Sequence, residues 1–129
     1  RFGFAPVIAD APIAMLEPQG YLEMLGLLAN ARLVLTDSGG IQEETTALSV
    51  PCLTMRDNTE RPITVTQGTN TLVGRDRARV RTCVDDILKT GGKRGHVPEL
   101  WDGHAATRIA SHLQGWLAAR YAAFEHRAA

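Results

Sequence analysis

The stretch Leu33-Val34-Leu35-Thr36-Asp37-Ser38-Gly39-Gly40-Ile41-Gln42-Glu43-Glu44 narrows the possible folds more than any other, because a short apolar run stops at a polar, glycine-containing hinge and opens directly into a helix. A buried strand that turns at once into a helix leaves the first helical N–H groups unpaired and pointing outward, which makes the corner an anion site. Gly39 and Gly40 allow close backbone approach of a ligand, and Glu43 and Glu44 lie one turn in, where a carboxylate can meet a ribose hydroxyl. With Gly40 as N-cap the helix is expected over 40–48, and Glu43 then takes the third helical position, able to reach back to the cap N–H.

The same alternation recurs along the chain. Apolar runs at Ile13–Leu16, Leu33–Leu35, Val50–Met55 and Thr71–Gly74 read as four short strands, with Pro18 and Pro51 at positions where no ladder donor is needed. Between them Tyr21–Asn30 and Asp76–Lys89 carry apolar residues at helical spacing, the first with Asn30 as C-cap and the second with Asp76 as N-cap and Val80, Cys83, Val84, Ile87 and Leu88 on one face. Ile63–Thr66 fits a short strand or the first turn of a helix behind Pro62, with the helix favoured. Ala105–Tyr121 is a last helix, whose apolar stripe continues through Phe124. Strands alternating with helices predict an α/β fold: a Rossmann-like parallel sheet with right-handed crossovers and helices on both faces. Residues 1–11 are expected as a hinge or connecting segment, 12–121 as the Rossmann-like domain and 122–129 as a tail.

Ligands bind such sheets at the carboxyl ends of the strands, where both the 37–40 corner and the polar loop Arg56–Pro62 are expected. Ser38, Gly39 and Gly40 can offer a hydroxyl and backbone N–H groups to phosphate oxygens. A Gly-Gly turn alone is explained slightly better by sterics than by a ligand; followed by Ile-Gln-Glu-Glu and joined by a Thr-Glu-Arg-Pro loop at the same edge, it points to a nucleotide diphosphate. Arg61 is the strongest candidate for a charged contact to phosphate, since its planar fork reads oxyanions bidentately. An ion pair of Arg61 with Glu60, or with a carboxylate on the helix of Glu43, fits the sequence nearly as well. Glu43 and Glu44 diverge by about 100° around a helix, so they cannot form a catalytic pair.

Lys plus Arg and Asp plus Glu are both 14, so the attraction of an anion must be local, and neither nucleic acid nor a membrane surface is an expected partner. Cys52 and Cys83 have no metal-ligand spacing and read as reduced, buried thiols. His96, His104, His112 and His126 form no metal set and read as exposed. Trp101 and Trp116 read as packing residues, and the lack of Gly-x-Gly-x-x-Gly disfavours a nicotinamide or flavin cofactor; no cofactor is expected. No apolar stretch approaches a transmembrane length, and a cytoplasmic location is expected. The chain opens at Arg1, without an initiating Met, and reads as the interior of a longer protein.

Pro18-Gln19 with Tyr21-Leu22, Leu35 to Glu44, Met55-Arg56-Asp57-Asn58-Thr59-Glu60-Arg61-Pro62, and Gly68 with Leu72-Val73-Gly74 together resemble the C-terminal half of the non-hydrolysing UDP-N-acetylglucosamine 2-epimerases over residues 12 to 118. Asp102-Gly103-His104-Ala105 with Arg108-Ile109 is similar to a helix-opening segment of that family. The resemblance implies a two-domain fold of the glycosyltransferase-B type with a UDP-sugar in the cleft. It implies that Ser38, Gly39 and Gly40 hold the diphosphate, Glu44 the ribose hydroxyls and Arg61 the diphosphate side, with Gln19 near the uracil. Met24 stands where the family has an aromatic against the base, Ile63 where it has Glu, and Ser49 where a glycine would ease a left-handed cap. The implied reaction interconverts UDP-N-acetylglucosamine and UDP-N-acetylmannosamine by elimination and re-addition of UDP, with acid and base groups in an N-terminal domain outside this chain. A homodimer is possible. The alternatives are the donor-binding domain of a glycosyltransferase, a hydrolysing epimerase, or a nucleotide-binding module without chemistry. Against the first, the glutamates spaced by seven that mark many retaining glycosyltransferases would fall at Pro51 and Cys52.

Overall fold

The computed structural model describes residues 3, 5–9 and 11–125. In chain order the elements are α1 (Ala5–Ala9), α2 (Tyr21–Ala29), β1 (Val34–Thr36), α3 (Gly39–Ala47), β2 (Cys52–Thr54), α4 (Pro62–Thr66), β3 (Asn70–Leu72), α5 (Arg77–Thr90) and α6 (Ala105–Glu125). The three strands form one parallel sheet in the order β1-β2-β3, with Val34 opposite Cys52 and Cys52 opposite Asn70. The sheet is the expected parallel one, built from three of the four strands.

Successive strand residues face opposite sides of a sheet, and this decides how the two faces are filled. Leu53 clusters with Val73 and with Ile87 of α5, and Leu33, Val80, Cys83 and Val84 pack around them. Cys52 and Thr54 point the other way, where Thr54 meets Asn70 and, beyond it, Gln42 of α3. One face is thus apolar under α5 and the other polar under α3. Burial pushes the Cys52 thiol pKa up, and both Cys52 and Cys83 are free.

Helix ends follow the local signals. Asp76 caps α5 by accepting from the N–H groups of Ala78 and Arg79, and Gly91 at φ 86° ends it in the left-handed conformation. Pro62 opens α4, so the helical alternative for 63–66 is the one realised. Asn30 caps α2, its side chain donating to the Gly26 carbonyl at 2.8 Å. Ser49 stands at φ 58°, where the carbonyl crowds a Cβ and glycine would relieve about 1 kcal/mol.

Several expectations are corrected. Ile13–Leu16 forms no strand; it is an irregular segment with Met15 71% exposed, its apolar residues facing outward and no sheet edge pairing with them. The N-cap of α3 is Ser38, not Gly40, so Glu43 lies two residues past the third helical position and cannot close a capping box. Leu88 turns away from the core of α5 and is exposed. Trp116 is not packed inside: it is half exposed in the row Ile109, Leu113, Trp116, Leu117 and Tyr121 on α6, with the Arg120 guanidinium 5.2 Å from its ring centre. The segment expected as hinge contains the short helix α1, and α6 runs on to Glu125. The Phe124 side chain, His126 and the remainder of the tail lie outside the described residues. His96, His104 and His112 are exposed as expected. No helix among the described residues is long and apolar enough to cross a membrane.

At the entry to α6, Arg108 donates from Nη1 and Nη2 to the two oxygens of Asp102 at 2.9 Å, and the His104 N–H adds a third bond at 3.0 Å. The Arg108 contact, helped by His104, lowers the Asp102 carboxyl from its ordinary 3.8 to about 2. Because the folded value lies below the unfolded one, the contact stabilises the entry to α6 above the ordinary value and is lost as pH falls toward 2. An NMR titration should place the Asp102 midpoint near 2, and Arg108→Gln should return it toward 3.8; an unchanged midpoint in that variant would refute the assignment.

Candidate functional site

The chain leaves β1 at Thr36 and is turned by a short bond, the Ser38 N–H donating to Thr36 Oγ1 at 3.0 Å. Ser38 sits at φ −80° and ψ 132°, and its hydroxyl makes no capping bond, which leaves it beside the free N–H groups that open α3. Neither Gly39 nor Gly40 has a positive φ. A Cβ built on Gly39 would meet nothing within 4 Å, and one on Gly40 only Ser38 Oγ at 4.0 Å. The protein's own conformation and packing therefore do not require glycine here. A bare backbone at the positive end of a helix is useful to something that approaches from outside.

Arg61 reaches α3, about one turn past this corner, from the β2–α4 loop. Its Nε lies 3.1 Å from Glu43 Oε1 of α3, with both side chains 41% exposed. The Nε proton is not aimed at that oxygen: Nε is shielded from solvent yet makes no hydrogen bond, while Nη1 donates to the Glu60 carbonyl at 3.4 Å. Of the alternatives left open by the sequence, the ion pair with Glu43 is realised in the free protein, and at this exposure it is worth little. Glu44, the next residue around the helix, is half-buried, and among the described residues its carboxylate has no ion pair or hydrogen bond. Gln19 is exposed, its amide donating to the Glu17 carbonyl at 2.7 Å, and Met24 is half-buried on α2. No hydrogen bond or ion pair joins either of them to the corner.

Two features were missed from sequence. Around the carboxyl ends of the strands, Thr36, Asp37, Met55, Arg56 and Arg75 line a cavity of about 510 Å³. A neighbouring one of about 630 Å³ continues from Met55 and Arg75 past Arg77 and Arg81. A chain of zero net charge thus brings four arginines, Arg56, Arg75, Arg77 and Arg81, to line cavities at this edge of the sheet.

The second feature is a buried polar network. Gln42, 0% exposed, donates from Nε2 to the Ser38 carbonyl at 3.2 Å, while its Oε1 accepts from Thr59 Oγ1 at 2.6 Å and Asn70 Nδ2 at 3.0 Å. Asn70 also donates to Thr64 Oγ1 at 3.1 Å and accepts from Thr54 Oγ1 at 2.7 Å. The Arg61 backbone closes the network at both ends, its N–H donating to Thr59 Oγ1 at 2.9 Å and its carbonyl accepting from Thr64 Oγ1 at 2.7 Å. The signal available in the sequence was the density of threonines and amides around the strands, Thr54, Thr59, Thr64, Thr69 and Asn70.

Residues 6–114 match the family model described as UDP-N-acetylglucosamine 2-epimerase. The UDP-N-acetylglucosamine 2-epimerase of Methanococcus maripaludis is 53% identical over 78 residues, which is 60% of this chain and 21% of that protein. That of Methanocaldococcus jannaschii is 45% identical over 106 residues, 82% of this chain and 28% of the relative. A solved structure of the M. jannaschii enzyme in complex with UDP-GlcNAc and UDP superposes with a TM-score of 0.68 at 42% identity, covering 84% of this chain and 30% of that one. The chain spans about a quarter of the length of these curated relatives. Its fold is the Rossmann-like, glycosyltransferase-B type arrangement expected from the resemblance. With the family model covering most of its length and the same fold beneath it, this chain belongs to the UDP-N-acetylglucosamine 2-epimerase family.

Proposed function

We propose that this chain supplies the UDP grip of an isomerase that interconverts UDP-N-acetylglucosamine and UDP-N-acetylmannosamine. The carrying observation is the corner at Ser38–Gly40, whose two glycines serve neither conformation nor packing and leave helix N–H groups open to an anion. In this reading Ser38, Gly39 and Gly40 hold the diphosphate, Arg61 turns from Glu43 to close on it, and Glu44 takes the ribose hydroxyls. Gln19 and Met24 meet the uracil. No cofactor enters the scheme.

The proposed reaction removes the proton at C2 and breaks the C1–oxygen bond, releasing UDP and leaving a glycal. UDP then returns to C1 as a proton is delivered to the other face of C2, so atoms balance without an external oxidant. The acid and base come from an N-terminal domain beyond this chain, in keeping with the 28% of the M. jannaschii enzyme that the chain matches and with the exposed apolar rows on α2 and α6. The proposed setting is the cytoplasm.

Calorimetry with UDP on the 129-residue chain tests this reading. Weak binding is expected, and Glu44→Ala should weaken it about tenfold, the value of a charged hydrogen-bonded contact. Absence of heat at millimolar UDP would sink the grip, and turnover of UDP-N-acetylglucosamine by the chain alone would sink the assignment of the chemistry elsewhere.

A further inference from the structure

The buried polar network does more than satisfy its own members. Seventeen residues of chain separate Gln42 from Thr59 and 28 separate it from Asn70, so its bonds join the helix behind the glycine corner to the loop that carries Arg61. Both Gln42 and Asn70 are fully buried, and their amide orientations are fixed by the chain of donors and acceptors. The Gln42 carbonyl receives two protons, Asn70 must present its NH₂ to Gln42 and Thr64, and its own carbonyl is then left for the Thr54 hydroxyl. Flipping either amide would set two carbonyls face to face. An apolar filling would hold this layer together with less desolvation cost but would not specify one register of loop against helix.

The network holds Arg61 in an unusual way. Its backbone N–H and carbonyl are both fastened, while its guanidinium has only weak, exposed partners, the half-exposed Glu43 and the Glu60 carbonyl at 3.4 Å. The base of the arm is fixed and its end is free to change partner. We propose that Gln42, Asn70 and Thr59 are positioning residues that set the Arg61 loop at a fixed distance from the Ser38–Gly40 corner, so that one diphosphate is gripped from both sides. This inference rests on the proposed UDP grip for its ligand, but not for its geometry.

Thr59 is the residue to change, because it is only partly buried and its hydroxyl is the single link between Gln42 and the Arg61 N–H. Thr59→Val keeps its shape and removes the link. In the 129-residue chain this variant should weaken UDP binding about fivefold to tenfold, and Thr59→Ser should restore it. Placed on an Arg61→Ala background, Thr59→Val should cost less than about twofold, since the arm it positions is gone. Equal losses on both backgrounds would show a general structural role and overturn the proposal. Should Thr59→Val fold poorly, Thr59→Ala removes the same hydroxyl without adding a methyl against Gln42.

A ligand-free arm separates this inference from the functional reading. Amide NMR of Thr59→Val without nucleotide should show shifts at Gly39 and Gly40, transmitted through Gln42 and the Ser38 carbonyl. Shifts confined to residues 57–64 would overturn the relay even where UDP binds. Shifts at the corner in a chain that binds no UDP would retain the relay and discard the grip.

Discussion

Replacing Arg61 with alanine is expected to weaken UDP binding by about 10- to 100-fold while leaving the melting temperature nearly unchanged. Charge-assisted bonds from a guanidinium to phosphate contribute about 1.5–3 kcal/mol, because two aligned donors meet a charged acceptor. The pair that Arg61 gives up is of a different order: at 3.1 Å from Glu43, with both side chains 41% exposed and the Nε proton misaimed, it contributes about 0–1 kcal/mol. Affinity and stability therefore separate in this variant. Arg61→Lys should recover part of the loss, since it restores the charge but not the fork. UDP affinity in Arg61→Ala equal to that of the unsubstituted chain would remove Arg61 from the site.

The largest loss of stability is expected from Gly68→Ala. Gly68 is buried between α4 and β3, and a Cβ there would lie 2.6 Å from Thr46 Cγ2 and 2.7 Å from the Thr64 carbonyl oxygen, with Thr46 Oγ1 closer still. Behind it, Gly95 packs so tightly that its own Cβ would strike the Gly68 backbone. The Thr64 carbonyl is helix backbone and cannot yield, and Thr46, 1% exposed, has little room to turn aside. Overpacking of this kind costs about 1–3 kcal/mol, and the rigid neighbours place this case at the upper end. A urea titration should show the midpoint falling with the slope unchanged. Thr46→Ala in the same chain should recover only part of the loss, because it removes both side-chain atoms in the way but leaves the Thr64 carbonyl at 2.7 Å. A midpoint within error of the parent would refute the tight approach of α3, α4 and the 92–96 loop.

Those two residues also show what could be read before the structure. Arg61 was visible because a guanidinium in a Thr-Glu-Arg-Pro loop has few uses at the carboxyl edge of a parallel sheet. The sequence could not choose between phosphate and Glu43, since that choice depends on which helix the loop lies against. The strands at 34–36, 52–54 and 70–72 and the caps at Asp76 and Pro62 were legible because the signals are local: apolar runs, a carboxylate before a helix, a proline where no donor is needed. Ile13–Leu16 misled because an apolar run signals a surface to be covered, and nothing local distinguishes a strand from an exposed apolar segment. The cap of α3 was misplaced by two residues because serine and glycine both suit an N-cap, and only the backbone angles of Ser38 decide. Gln42, Asn70 and Thr59 were not found because each is unremarkable alone; their meaning lies in contacts across 17 and 28 residues of chain.

The division of the sheet into one apolar and one polar face also bears on how this protein responds to heat and cold. Gln42, Thr45, Thr46, Thr54, Thr64, Thr69 and Asn70 are buried alongside Leu28, Val50, Cys52, Leu53, Val73 and Ile87. Hydrating apolar surface raises the heat capacity by about 0.45 cal/K/mol/Å², and hydrating polar surface lowers it by about 0.26, so the two faces act in opposite senses on unfolding. The stability curve of such a core is flatter than that of an oily one of the same size, and the spacing between corner and loop is held across a wider span of temperature.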